Sequence, residues 1–247
     1  QGGWGLEIMA KMGGSTKLKR QMAPKFWNIK RKEGRFALRV KPGPYSKNKA
    51  YPLGIVLRDI LKLAHTMSEA TKIVNTGKIK VDGVVRRSIN FGVGAMDIVE
   101  LVPTRQAYRF VPRESRLLVP ISITNENEKL LKLIKATSKV MTKGGRLQYG
   151  FHDGKTILTD QKMNVGDTCV VQLPEAKISQ HIKFERGCMV LVMSGENAGN
   201  IGKIEDIRDG IFSLPKRALV SFAERSVELP VEAIMAVGSE MPVVKVN

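Results

Sequence analysis

Arg86 and Arg87 stand side by side just after an Asp82-Gly83 pair that is flanked by the apolar runs IKV and VV. Asp-Gly between such runs marks a tight hairpin, because both turn positions tolerate positive φ. Neighbouring strand residues face opposite sides, so the pair sets one guanidinium on each face of a small hairpin. The planar fork of a guanidinium bonds phosphate bidentately, and phosphate binding is the chemistry these residues support. A longer basic stretch points the same way. From 11 to 49 there are thirteen Lys and Arg and one acid, Glu33, with Phe26, Trp27, Phe36 and Tyr45 among them. Basic residues interleaved with aromatics suit a surface that neutralises phosphates and stacks on bases. Over the whole chain, 41 Lys and Arg face 23 Asp and Glu, a formal charge of +18. Solubility needs only about 2–8 charges, so the excess points to a polyanionic partner, nucleic acid first.

Residues that could carry catalysis do not assemble. His65, His152 and His181 are far apart, and His152-Asp153-Gly154 reads as a turn. Cys169 and Cys188 form no CxxC, and metal-ligand spacing is absent. GxSxG and HExxH do not occur. The glycine-rich stretch at 194–204 fails the phosphate-loop pattern at Asn197 and Ile204, and GVGAMD at 92–97 fails the dinucleotide fingerprint at Asp97. We expect no catalytic residue, no metal and no cofactor. Two cysteines without a disulfide framework fit a reducing compartment. Without an apolar run near ~18 residues or a visible signal peptide, no membrane partner is expected. Residues 1–8 precede the first methionine, Met9; they are set aside as an expression remnant, an unusual extension or a misplaced start.

The elements that must position these groups are legible in outline. Residues 1–50, rich in charge and interrupted by Pro24, Pro42 and Pro44, read as a basic extended arm. Residues 51–102 read as two short helices and a small sheet. Pro52 opens a helix whose Leu53, Val56, Leu57, Ile60 and Leu61 form one stripe. Thr66-x-x-Glu69 is a capping box for the second, Ala70, Ile73 and Val74 face inward, and Gly77 stops it. The hairpin and the strand MDIVEL follow. Residues 103–185 form a β-rich unit with strands in RLLVPISI, SKVMT, TILT and DTCVVQL and a short helix over 126–135. Residues 186–247 carry short strands at the spacing of a small barrel. The expected class is α+β and multidomain.

The unit at 51–102 resembles the small RNA-binding fold named after bacterial small-subunit ribosomal protein four. The resemblance rests on the helix from Pro52, Glu69-Ala70, Gly77-x-Ile79-x-Val81-Asp82-Gly83 and Val85-Arg86. It implies a basic groove for structured RNA made by Arg58, Lys62, Lys72, Lys78, Lys80, Arg86 and Arg87, where summed charge on one unit matters more than any single cation. The loop SGENAGNIGKI at 194–204, after the alternating Val190 and Val192, looks like a KOW motif, with Gly195, Asn197, Gly199 and Gly202 as its loop residues. Many copies of that motif carry a basic residue where Asn200 stands here.

Arm, RNA-binding unit, central β unit and KOW element in this order are similar to the archaeal and eukaryotic small-subunit ribosomal protein four-e family. The segments LKRQMAPKFW (18–27), PLGIVLRDIL (52–61), KVDGVVRRSINFGVGAMDIV (80–99), HDGKTI (152–157) and IKFERGCMVLVMSGENAGNIG (182–202) carry the likeness. The ending at Asn247 without a basic tail is closer to the archaeal members. The family implies a structural constituent of the small subunit, cytoplasmic on the ribosome, with small-subunit ribosomal RNA and neighbouring ribosomal proteins as partners and no small-molecule substrate. The arm would neutralise phosphates through Lys17, Lys19, Arg20, Lys25, Arg31 and Arg35, and Trp27 or Phe26 would pack on a base, a ribose or the protein's own domains. One hairpin arginine would cap each wall of a phosphate-lined groove. Two rivals fit less well. A pseudouridine synthase needs a large catalytic domain for which 103–247 is too short, and a transcription-elongation role leaves the arm and hairpin unit unexplained.

Overall fold

The computed structural model describes residues 17–30, 32, 34–113, 117–212, 214–222, 225–239 and 241–246. The fold is α+β and mostly strands, with few and short helices. Leu18–Lys19 (β1) pairs antiparallel with Phe36–Ala37 (β2), and Tyr51–Pro52 (β3) with Gly92–Val93 (β6). The first helix starts as α over Leu53–Ile55 (α1) and widens to π geometry over Val56–Ile60. It spans the apolar stripe as far as Ile60, with Leu61 as its cap. The Leu61 amide bonds Val56 O, five residues back, and Lys62 turns the chain away at φ 53. Leu53, Val56 and Leu57 are fully buried, while Leu63 is left exposed.

Met67–Asn75 (α2) follows with the expected capping box intact: Thr66 Oγ1 accepts from the Glu69 amide at 3.2 Å, and Glu69 Oε2 accepts from the Thr66 amide at 3.3 Å. Gly77, at φ +72, ends it. Ile79–Val81 (β4) and Val84–Val85 (β5) form the predicted hairpin, with Asp82 and Gly83 both at positive φ. The second strand stops at Val85, so Arg86 and Arg87 lie just past it rather than on it. The sheet runs on in the order β5-β4-β7-β8-β9 through Ile98–Leu101 (β7), Gln106–Arg113 (β8) and Leu117–Ile123 (β9). It crosses position 102, where the sequence reading ends its second unit, without a break.

The predicted helix over 126–135 survives only as Glu126–Lys129 (α3). From Leu131 to Met141 the chain is a strand, β10. Leu133 and Ile134 belong to different buried clusters, one on each face, and a strand buried on both sides sends successive side chains into separate cores. β10 centres a sheet ordered β12-β11-β10-β13-β14, with Leu147–Phe151 (β11), Thr156–Thr159 (β12), Thr168–Gln172 (β13) and Lys177–Ile182 (β14). The last sheet is ordered β18-β17-β16-β15-β19 from Met189–Val192 (β15), Ile201–Arg208 (β16), Arg217–Ser221 (β17), Ser226–Pro230 (β18) and Ile234–Gly238 (β19). Its core takes in Met96, Val111, Leu133 and Val170, so the last two sheets share buried apolar surface with the β8 strand.

The arm differs from expectation in one respect. It has little regular structure, as its prolines predict, but it is folded against the helices. Leu18, Ala23, Trp27 and Val40 are buried in one cluster with Leu53, Val74 and Phe110. Burying large apolar side chains stabilises by about 1.5–3 kcal/mol each, and that holds the segment down.

Candidate nucleic-acid interface

Local chemistry holds the arm's cations in place. Arg20 is half-buried; its Nη2 donates to Ile29 O and its Nε to Lys30 O at 3.3 Å, pinning the chain reversal after Trp27. Lys17 and Arg35 both lie over the exposed Phe36 ring, at 5.5 and 5.6 Å from its centroid. Lys19 and Lys25 are exposed. Arg31 lies outside the described residues. Trp27 must be corrected as an RNA contact. It is 2% exposed and its Nε1 donates to Ala50 O at 2.9 Å, so it takes the last of its expected roles, packing on the protein itself. Phe26 packs edge-on against Trp27 and Tyr51.

On the helix–hairpin unit, Lys62, Lys72, Lys78 and Arg87 are exposed. Arg58 is half-buried and forms a two-point bond with Asp59 at 2.9 and 3.0 Å. Lys80 is half-buried, 4.0 Å from Glu100. Arg86 stacks on Phe91 at 4.4 Å, and its buried Nε has no hydrogen-bond partner among the described residues. The two hairpin arginines therefore differ: Arg86 is packed down and Arg87 is open to solvent. The structure brings arm and unit together in a cleft of 290 Å³ lined by Arg20, Lys30 and Arg58 beside Phe36 and Met67. Lys30 was not singled out in sequence, because no spacing distinguishes it from the adjoining Arg31 and Lys32.

The glycine-rich loop is packed against its surroundings. A side chain at Gly199 would meet Pro112 O at 2.6 Å, and one at Gly202 would meet Val220 at 2.5 Å. Asn197 Oδ1 accepts from Arg225 Nη2 at 2.8 Å. Gly195 has open space around it. Of the three loop glycines, only Gly195 has open space where a side chain would stand.

What joins the hairpin unit to the central sheet is a polar centre that sequence reasoning missed, and Tyr45 ties the arm to it. Lys132, fully buried, donates to Asp82 Oδ2 and Asp97 Oδ1 at 2.6 Å each and to Asp153 Oδ2 at 3.1 Å. Lys155 adds bonds to Asp82 and Asp153 at 3.4 and 3.7 Å, and Tyr45 donates to Asp97 Oδ1 at 2.6 Å. Burial opposes the Lys132 charge, but the facing carboxylates outweigh it and hold its pKa well above the ordinary lysine value. Burial pushes the Asp97 carboxyl up, against the pull of Lys132. For Asp153, burial is outweighed by Lys132, His152 and Lys155, and its pKa falls. Asp82 and Asp153 each precede a glycine, so in sequence each is accounted for by its turn. Only Lys132, set among leucines in LLKLIK, hinted at a buried charge.

Three family descriptions match the chain in succession: the RS4NT (NUC023) domain over residues 12–48, the S4 domain over 55–99 and the ribosomal family S4e over 104–178. The small ribosomal subunit protein eS4 of Pyrobaculum islandicum is 40% identical over 238 residues, covering 93% of this chain and 98% of the relative. The protein of the same name from Staphylothermus marinus is 36% identical over 249 residues, covering 96% and 98%. Among solved structures, the 30S ribosomal protein S4e from Thermoplasma acidophilum superposes with a TM-score of 0.66 at 34% identity, over 77% of this chain and 96% of that one.

Proposed function

Since the chain belongs to the ribosomal S4e family, we propose that its arm and helix–hairpin unit act together as one surface that grips small-subunit ribosomal RNA by its backbone. The protein is a structural component of the small ribosomal subunit and not an enzyme. The observation that carries the proposed surface is the shared cleft, where Arg20 and Lys30 from the arm meet Arg58 from the first helix. The RNA contacts are Lys17, Lys19, Lys25 and Arg35 on the arm and Lys62, Lys72, Lys78 and Arg87 on the unit, all exposed. Arg20, Arg58, Lys80 and Arg86, partly engaged by the protein itself, shape the groove and lend charge. Backbone recognition suffices, because folded RNA is known largely by shape and phosphate position. The finer architecture fits a four-part chain: basic arm, RNA-binding unit, central β unit and a small KOW-type barrel whose return strand β19 lies beside β15. Its outward surface would meet neighbouring small-subunit proteins.

A salt titration tests the reading. Each phosphate contact lowers log K by about 0.7–0.9 per decade of salt. A Lys62→Ala/Lys72→Ala/Arg87→Ala variant should lose up to about 2–3 units of slope on transcribed small-subunit RNA. An unchanged slope would remove the unit from the interface.

A further inference from the structure

A second cleft, of 480 Å³, opens on the other part of the arm. Among the described residues five cations line it, Lys17, Lys19, Arg39, Lys41 and Lys47, and no acidic residue does. Its apolar lining comes from Leu18, Met22, Val40 and Pro42. Its volume falls within the roughly 300–1,000 Å³ of sites that enclose small ligands. The walls are held by the fold. β1 is paired to β2, with Leu18 opposite Ala37. The Lys41 amide donates to Asn90 O at 2.8 Å, tying the far wall to the helix–hairpin unit. Tyr45, which also lines the cleft, is anchored through its hydroxyl to Asp97.

We propose that this cleft receives one unstacked nucleotide of the RNA, its base or ribose against the apolar lining and its flanking phosphates on the lysine and arginine rim. The inference rests on the RNA-binding reading and adds to it a site for a splayed, single-stranded residue. A duplex backbone presents phosphate but nothing apolar to a recess of this kind. An extruded nucleotide presents both, and base-face packing tolerates any sequence. The site would therefore prefer a bulge or loop to a continuous helix and would discriminate little among bases.

The test uses the full chain, decauridylate as the single-stranded probe and transcribed small-subunit RNA as the reference, with binding read by fluorescence anisotropy. Met22 is 64% exposed, so Met22→Glu can place a charge at the cleft without disturbing a core; far-UV circular dichroism checks the fold. Met22→Glu and, separately, Lys41→Ala/Lys47→Ala should each weaken decauridylate binding by roughly tenfold, while affinity for the reference RNA changes less than about twofold, since most phosphate contacts remain. A decaglutamate peptide should compete poorly. The proposal is overturned if neither variant affects decauridylate while the reference RNA still binds. It is equally overturned if decaglutamate displaces the probe as well as RNA does, because the cleft would then be a charge sink or a seat for an acidic protein segment. Failure of the wild-type chain to bind the reference RNA would instead sink the RNA-binding reading, and this site with it.

Discussion

Asp82 shows how one residue answers to two levels of organisation. Locally it supplies the positive φ, 52°, that the hairpin turn requires. In the folded chain its carboxylate also bonds Lys132, fifty residues away, at 2.6 Å. The lysine is fully buried among three carboxylates, and removing one partner of such a group strands the others without solvent. Lys132→Met should therefore cost about 3–5 kcal/mol in urea unfolding. Adding Asp97→Asn to that variant should recover part of the loss, because Asp97 is the carboxyl that burial most opposes. A loss under about 1 kcal/mol, or no recovery, would mean the charges are solvated in solution. Arg86 carries a similar lesson. Its place beside Arg87 suggested twin phosphate ligands, yet 4.4 Å from Phe91 it is a packing residue with a charged edge.

The arm is the element that most changes meaning on folding. By composition it is a basic extended arm, and its few short strands and 3-10 turns agree with a segment of little regular structure. Its anchoring comes from Trp27, whose ring sits in the helix core and whose indole nitrogen is bonded. Trp27→Ala should cost about 3–5 kcal/mol and make residues 17–50 the first site of limited proteolysis. Proteolysis starting elsewhere would show that the other buried arm residues, Leu18, Ala23 and Val40, hold the segment alone. The first helix and β10 teach the converse. An apolar stripe predicted the helix face correctly but not its widening to π geometry, and a leucine-rich run predicted helix where burial on two faces imposed a strand.

At the scale of the whole molecule, arm, hairpin unit and central sheet meet around Tyr45, Asp97, Lys132 and His152. His152 Nδ1 accepts from the Lys135 amide at 3.1 Å, which requires a neutral ring, and Nε2 faces Ala95 O at 3.3 Å. Burial, reinforced by Lys132, pushes its pKa down to about 4. The unfolded chain binds this proton near pH 6.5 and the folded chain does not, so the contribution is complete above 6.5 and is lost as pH falls toward about 4. Relative to His152→Gln, the wild type should lose roughly 1–3 kcal/mol across that window by urea unfolding at stepped pH. The raised Asp97 pKa acts with the opposite sign, but it is present in both proteins and cancels in the difference. Parallel pH profiles would place His152 in water. By itself the sequence determined what depends on neighbours along the chain: the capping box, the Asp-Gly turn, the short strands, the basic charge and the family likeness. Tertiary structure alone decided which cations stay exposed, that Trp27 turns inward, and that Asp82, Asp97 and Asp153 converge on Lys132. Those outcomes depend on which distant surfaces come together and exclude water, and residues so far apart in the chain leave no periodic or spacing signal of that meeting.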